Sequence, residues 1–248
     1  MALYYYVKKE KPTRWEIFRW RIKKSWQNPL VRKGVSGLIL GVGFFLLGNG
    51  IFPIVSYQIR YAPRFSPVYS PVPEGGKWHS SLSVSAQEND FTLLSSWFVE
   101  QPKLTEKKVN PSVWFYTLDI PKLGIKNAIV HIGGEDLKKE LVQYPNTAVP
   151  GDFGNTVIFG HSVLPQFFNP NNYLTIFSTL YKLKAGDEII IHYDGVRYLY
   201  RVKEIFEVLP TDLTVLSQRF EGKILTLITC SPPGTYLRRL IVRAQLEE

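Results

Sequence analysis

The chain has 248 residues, of which 45% are hydrophobic and 21% are charged, and this near-average composition excludes a wholly disordered protein. The single cysteine excludes an internal disulfide, a zinc site that needs two or more cysteines and a cysteine-ligated iron–sulfur cluster. The formal net charge is +9, but residues 1–33 hold ten basic and two acidic side chains and therefore carry +8 of it. The basic charge belongs to an N-terminal tail, which argues against a nucleic-acid-binding surface on the folded body.

Residues 34–59 contain no charged side chain and predict a transmembrane anchor, since about 20 mostly apolar residues span a bilayer. A cleaved signal peptide is the alternative, but its apolar region is usually about 7–15 residues long and ends at a small-residue cleavage site. A buried core helix is the second alternative, and the glycine and proline content of the segment argues against it. The positive-inside rule places residues 1–33 in the cytoplasm and everything after Arg60 outside the membrane.

Residues 60–111 are rich in proline and serine and predict an extended extracellular spacer. One part of this spacer, residues 91–100, is more apolar than the rest. A short helix that packs on the folded body is the favoured interpretation of this part, and an appendage without a catalytic role is the alternative.

Residues 112–248 show the pattern of a β-domain. Seven segments are rich in β-branched and aromatic residues, and they lie at residues 113–120, 127–132, 156–160, 187–193, 196–208, 223–230 and 239–246. A tight turn is expected at residues 193–196. Helical spacing of apolar residues predicts one short helix at residues 135–144, and a second helical turn is expected at residues 176–181. The sequence therefore predicts an all-β fold, either an antiparallel sandwich or a closed barrel, with one or two short helices.

Cys230 lies at the end of a predicted strand, directly before a Ser-Pro-Pro-Gly loop. A free cysteine usually only fills space in a protein interior. An unpaired thiol outside the cell is also prone to oxidation, which favours a functional reason for keeping it. His161 ends another predicted strand, and two strand ends can meet at one rim of a barrel. A cysteine beside an imidazole is the minimum apparatus for acyl transfer.

The remaining histidines are weaker candidates. His192 is predicted to be a surface or cross-strand residue, His131 a structural loop residue, and His79 part of the spacer.

An acyl-transfer site also needs a donor for the oxyanion of the tetrahedral intermediate. Two arginines, Arg238 and Arg239, begin the last predicted strand. A strand–loop–strand hairpin would bring this strand start back beside Cys230. The period-2 alternation of a strand does not by itself choose between the two arginines.

The segment Thr-Leu-Ile-Thr-Cys at residues 226–230, with the following Arg-Leu-Ile-Val, resembles the signature of the sortases. Residues 118–130, 144–162 and 177–191 are similar to other stretches of the same family. The resemblance covers about residues 112–246, and the tail, anchor and spacer also resemble the usual architecture of the family.

The resemblance implies a closed eight-stranded β-barrel with Cys230, His161 and Arg239 as the catalytic set. In this scheme Cys230 attacks the carbonyl between Thr and Gly of an LPxTG-like sorting motif and forms a thioacyl enzyme. His161 protonates the leaving amine and activates the incoming one, while Arg239 holds the substrate backbone and the oxyanion. Arg239 is preferred because the family's arginine directly precedes the apolar residues of the last strand.

The resemblance has further implications for the site. Arg238 is the fallback for the arginine, and Thr226 and Thr229 are expected to bind substrate. The short proline-bearing loop at residues 231–234 resembles class D, E or C sortases more than class A. The absence of an Asp-Pro-Trp type lid motif argues against a pilin-polymerising class C enzyme.

The resemblance also predicts the partners, which are surface proteins that bear sorting signals and an amine acceptor such as a cell-wall precursor. No cofactor or metal is expected, because the acidic residues Asp187 and Glu188 are interpreted as turn and strand-start residues. Calcium binding is nevertheless not excluded. Two alternatives stay open, namely another extracytoplasmic cysteine acyl-transferase or peptidase, and a non-catalytic sortase-like anchored module.

Overall fold

The computed structural model describes residues 13–15, 18–20, 23, 29–65, 92–97, 113–218 and 220–247. The chain divides into two compact units, Met1–Ile51 and Phe52–Glu248. Most of the predicted spacer, including His79, lies outside the described residues, so the predicted boundaries of the spacer stay a prediction.

One long helix, α1 (Pro29–Arg60), contains the whole stretch predicted as a membrane anchor. Its 32 residues correspond to a length of about 48 Å, which exceeds the roughly 30 Å of a bilayer hydrocarbon core. Large apolar side chains along it, such as those of Phe44 and Phe45, are exposed. By length and composition, this helix is able to cross a membrane.

Eight strands close into a barrel in the order β1-β2-β3-β4-β7-β8-β6-β5. The strands are β1 (Phe115–Ile120), β2 (Ile125–Ile132), β3 (Leu141–Gln143), β4 (Gly154–Phe159), β5 (Glu188–Tyr193), β6 (Val196–Val208), β7 (Lys223–Ser231) and β8 (Arg238–Leu246). The prediction of an all-β closed barrel is confirmed. The seven segments predicted from their β-branched and aromatic content correspond to every strand except β3.

The turn between β5 and β6 also follows the prediction. Its two central residues, Asp194 and Gly195, have positive φ angles of 50° and 75°. A two-residue hairpin needs this left-handed backbone at both central positions, and an Asp-Gly pair provides it with little strain.

The barrel is not purely antiparallel. The pairs β2–β3 and β4–β7 are parallel, and the remaining neighbours are antiparallel. The β4–β7 pair matters for function, because two parallel neighbours end at the same rim of the barrel. His161 and Cys230 lie at these two ends.

The predicted helix at residues 135–144 is wrong. Its first part forms turns, and its last part contains β3. The backbone N–H of Leu137 donates to Thr92 at 2.9 Å, and that of Leu94 donates to the carbonyl of Glu135 at 3.0 Å. Backbone pairing with a distant segment and the complete burial of Leu137 therefore override the local helical spacing. The helical turn expected at residues 176–181 is realised only as a short 3₁₀ helix at Leu180–Lys182.

The core has two parts, one on each side of the barrel wall. Apolar side chains from all eight strands fill the interior, for example Leu118 of β1 and Leu227 of β7. A second cluster covers the outer face of β3, β4, β7 and β8, and it includes Ile228 and Cys230. Because side chains alternate along a strand, Cys230 faces the outer cluster rather than the interior.

Candidate active site

Cys230 and Arg239 are opposite each other in the antiparallel pair of β7 and β8. The guanidinium Nη1 of Arg239 lies 3.7 Å from the thiol Sγ of Cys230. The hairpin expected from the sequence therefore brings an arginine to the thiol. Both side chains are almost fully buried, with 1% of Cys230 and 3% of Arg239 exposed.

Arg238 is placed differently, since it lies opposite Ser231 and its side chain is half exposed. Its Nη1 is 3.8 Å from a carboxylate oxygen of Glu207. Successive side chains of a strand point to opposite faces, so only one of two consecutive arginines can face the thiol. The structure brings Arg239, and not Arg238, to Cys230.

His161 reaches the same place through the backbone of β4. The parallel register of β4 and β7 runs from Gly154 opposite Lys223 to Phe159 opposite Ile228. Two further hydrogen bonds continue this alignment past the end of β4. The N–H of residue 160 donates to the carbonyl of Ile228 at 3.1 Å, and the Ser162 hydroxyl donates to the carbonyl of Cys230 at 3.0 Å. His161 lies between these two anchored residues, which aligns it with Cys230.

Gly160 lies directly before His161 in a space too tight for a side chain. A Cβ atom at this position would lie 2.3 Å from the Phe177 ring and 2.7 Å from Leu141. No side chain fits in this space, so a glycine is required for the chain to carry His161 against β7.

Thr226 and Thr229 use their hydroxyl groups inside the protein. The Thr229 hydroxyl donates to the carbonyl of Gly160 at 2.8 Å and so ties β7 to the residue before His161. The Thr226 hydroxyl donates to the Asn155 side chain at 2.7 Å. Both threonines are buried, and their role in substrate binding stays a prediction.

The other histidines in the described residues are engaged elsewhere. Nδ1 of His131 lies 2.6 Å from a carboxylate oxygen of Glu140, and its ring stacks on Phe115. His131 is the last residue but one of β2, so the prediction that it lies in a loop is wrong. Nε2 of His192 lies 3.4 Å from Asp119, which agrees with the predicted cross-strand position at the surface.

Trp97 is the main site residue that the sequence did not predict. It lies in a 3₁₀ helix at Leu94–Trp97 and is 1% exposed. Its backbone carbonyl accepts a hydrogen bond from Nη2 of Arg239 at 3.1 Å, and the Arg239 guanidinium lies 5.0 Å from the centre of the indole ring. The ring also packs edge-on against Phe159. The apolar character of residues 91–100 pointed to packing on the body, but not to this arginine.

Burial also sets the protonation of the thiol. Desolvation raises the pKa of Cys230 to about 11, and the positive charge of Arg239 only partly opposes this rise. Burial likewise lowers the pKa of Arg239, but a guanidinium stays protonated in proteins. Cys230 is therefore a neutral thiol near pH 7 in this arrangement and needs a base such as His161 to become a nucleophile.

We expect the alkylation of Cys230 by iodoacetamide in the folded protein to become about tenfold faster for each pH unit between about pH 7 and pH 10. The reason is that the thiolate fraction of a group with a pKa of about 11 rises in this way across the whole interval. Mass spectrometry of the intact protein at timed intervals measures the rate. A rate that levels off below about pH 9 would contradict the raised pKa.

We also expect Trp97→Ala to speed this alkylation about tenfold at a fixed pH, because Trp97 and Cys230 lie in the same buried cluster. Trp114→Ala is the matched control, since this tryptophan is 53% exposed. The measurement is made well below the unfolding midpoint of both variants. Equal rates in the two variants would show that Trp97 does not limit access to the thiol.

No group of three or more His, Cys, Asp and Glu side chains in the described part of the chain is arranged to hold a metal ion. Asp187 accepts hydrogen bonds from Nζ of Lys122 and from the backbone N–H of Lys184, both at 2.6 Å. These contacts agree with its interpretation as a turn residue.

Comparison with known proteins gives one family. A family model described as the sortase domain matches residues 118–247, which is more than half of the chain. Among solved structures, a sortase D5 transpeptidase of Clostridium perfringens is 30% identical, with 56% of this chain and 82% of that chain covered and a TM-score of 0.47. A lid mutant of sortase A from Corynebacterium diphtheriae is 29% identical, with 55% and 71% covered and a TM-score of 0.48. Sortase C-1 from Actinomyces oris is 26% identical, with 54% and 73% covered and a TM-score of 0.47. No curated protein sequence matches the chain.

Proposed function

Because this chain belongs to the sortase family of cysteine transpeptidases, we propose that it cleaves an LPxTG-like sorting motif between Thr and Gly and transfers the protein to an amine on the cell surface. The observation that supports this proposal is the contact between Arg239 and the thiol of Cys230 at the rim where His161 also lies. Cys230 and Arg239 are opposed across β7 and β8, and His161 extends the strand that runs parallel to β7.

The first half of the proposed reaction forms the thioacyl enzyme. Sγ of Cys230 attacks the carbonyl carbon of the Thr–Gly bond, and His161 takes the thiol proton. The carbon–sulfur bond forms, the carbon–nitrogen bond breaks, and His161 gives the proton to the leaving amine of glycine. Arg239 stabilises the negative charge that develops on the carbonyl oxygen, because its guanidinium is already held beside Sγ.

The second half regenerates the enzyme. An acceptor amine attacks the thioester, a new carbon–nitrogen bond forms, and the carbon–sulfur bond breaks. His161 takes a proton from the amine and returns it to the sulfur. The energy of the peptide bond is kept in the thioester, so the scheme needs no ATP and uses no metal or organic cofactor. Water in place of the amine gives simple hydrolysis.

Two features of the chain support a location at the membrane. α1 is long and apolar enough to cross a bilayer, and residues 1–33, which include the first five residues of α1, carry +8 of the net charge. The positive-inside rule then puts the N-terminus in the cytoplasm and the barrel outside.

The partners in this scheme are surface proteins with sorting signals and an amine acceptor such as a cell-wall precursor. The short connection from β7 to β8 supports a class D or E type of enzyme.

The test is a transfer assay with the full-length protein in detergent micelles. A set of LPxTG-type peptides with the third position varied is incubated with and without a glycine-based or diamino acid acceptor, and the products are identified by mass spectrometry. We expect the fragment that ends in Thr to be joined to the acceptor when the amine is present, and to be hydrolysed slowly without it. The absence of both products with every peptide would overturn the proposal.

A further inference from the structure

A buried carboxylate contacts the residues next to the Cys230–Arg239 pair, and the proposed reaction does not use this carboxylate. Glu207 of β6 is 4% exposed. Its carboxylate accepts hydrogen bonds from the hydroxyls of Tyr57 and Ser231, and its second oxygen is 3.8 Å from Nη1 of Arg238. A buried carboxylate without partners would strongly destabilise the fold. The two hydroxyls supply these partners, and their hydrogen bonds fix the positions of the carboxylate and of both hydroxyl side chains.

The partners of Glu207 are the immediate neighbours of the two residues that meet at the thiol. Ser231 follows Cys230 at the end of β7, and Arg238 precedes Arg239 at the start of β8. Ser231 and Arg238 are also opposite each other in the strand pair. The carboxylate therefore connects the two strand ends at the position next to the catalytic pair.

Glu207 lies on the opposite face of the barrel sheet from the sulfur of Cys230. Cys230 faces the outer cluster, and alternation along β7 turns Ser231 to the other face. Glu207 therefore does not touch the reacting atoms, and any effect on the reaction runs through the backbone between Ser231 and Cys230. This makes it a positioning residue and not a catalytic one.

The third member of the network comes from α1. Tyr57 is 2% exposed, and its hydroxyl lies 2.7 Å from Oε1 of Glu207 and 2.8 Å from Oγ of Ser231. Its ring packs edge-on against Tyr181 at 5.2 Å, and Phe65 packs beside it. Tyr57 belongs to the same compact unit as the barrel, although the sequence pattern placed it inside the membrane anchor. A helix of about 48 Å is long enough to span the hydrocarbon core and still extend beyond it.

We propose that Tyr57, Glu207 and Ser231 form a positioning network that fixes the end of β7, so that Cys230 is held against Arg239, and that the end of α1 thereby contributes to turnover. This inference rests on the proposed transpeptidase function. It assigns a role in the reaction to a residue of the apolar helix, outside the barrel that carries the catalytic set.

The test compares two variants that each remove one hydroxyl from the same end of α1. Tyr57→Phe removes the hydrogen bonds to Glu207 and Ser231 and keeps the ring. Tyr61→Phe is the matched control, because the Tyr61 ring also packs on Tyr181 while its hydroxyl has no hydrogen-bond partner among the described residues. Glu207→Gln is an additional variant, which keeps the size of the side chain and one accepting oxygen but weakens both hydrogen bonds because the acceptor is no longer charged.

In the full-length protein in micelles, we expect Tyr57→Phe to lower kcat about tenfold with KM changed less than about twofold, because a small misplacement of a nucleophile costs rate rather than binding. Glu207→Gln is expected to lower kcat in the same way, and it decides the question if Tyr57→Phe does not fold. Tyr61→Phe is expected to stay within about twofold of the parent enzyme. Equal kcat values in Tyr57→Phe and Tyr61→Phe would overturn the inference.

A second measurement separates this inference from the proposed function. The alkylation rate of Cys230 needs no peptide substrate, and a loosened β7 end exposes the buried thiol more often. We expect alkylation to be at least about threefold faster in Tyr57→Phe than in Tyr61→Phe at the same pH. If the parent protein transfers no peptide, the proposed function fails, and equal alkylation rates would independently overturn the network.

Discussion

Replacing Cys230 with alanine is expected to lower cleavage of the sorting peptide by more than about 10³-fold, because the thioacyl intermediate cannot form without the sulfur. Cys230 is the only cysteine in the chain, so no other thiol can take over. The assay is the peptide-transfer reaction with the full-length protein. Retention of more than about a tenth of the parent activity would exclude Cys230 as the nucleophile.

The control for this variant is its stability. Cys230 is buried in the outer cluster, and its change to alanine removes a single sulfur atom from that cluster. We expect the unfolding midpoint to fall by only a few degrees, which corresponds to about 1 kcal/mol in a domain of this size. If the variant is folded but inactive, the loss of activity is due to the missing nucleophile and not to unfolding.

Replacing Arg239 is the change with the second-largest expected effect. Arg239→Ala is expected to lower kcat/KM by about 10²- to 10³-fold, as is typical for the loss of a preorganised oxyanion donor. Arg239→Lys keeps the positive charge but loses the planar fork that now reaches Sγ and the Trp97 carbonyl. We therefore expect it to recover only a small part of the lost rate.

Arg238→Ala provides the comparison for this prediction. Arg238 is half exposed, and its ion pair with Glu207 is long at 3.8 Å. The buried Glu207 keeps its hydrogen bonds from Tyr57 and Ser231 when this long contact is lost, so we expect a loss of less than about tenfold. Rates are compared at a temperature where both variants are folded. A larger loss in Arg238→Ala than in Arg239→Ala would transfer the oxyanion role to Arg238.

The strands could be predicted from the sequence because their β-branched and aromatic residues are local features. β6, for example, has the predicted bounds of residues 196–208. β3 could not be predicted in this way, since its three residues lie in a segment with helical spacing and are held by pairing with β2 and β4. The two parallel pairs were also missed, because the pairing of distant strands leaves no local signal.

The residues of the candidate site likewise divide into those that local sequence features identified and those that they did not. Cys230 and His161 were identified from their positions at strand ends, whereas periodicity left Arg238 and Arg239 equivalent and only the resemblance chose between them. Trp97 and Tyr57 were not identified at all as site residues. Trp97 meets Arg239 across 142 positions of the chain, and Tyr57 meets Glu207 across 150. Contacts over such separations depend on the tertiary fold and not on the neighbouring sequence.

The docked end of α1 has a practical consequence for the choice of a recombinant fragment. The charge pattern suggests a soluble fragment that starts at Arg60, the first charged residue after the apolar stretch. Such a fragment would discard Tyr57 and leave the buried Glu207 with one hydroxyl fewer. A fragment that starts at Phe52 would keep the hydroxyl, but it would expose apolar side chains such as Phe52 and Ile59 and require detergent. We therefore expect rate constants measured on the shorter fragment to differ from those of the full-length protein.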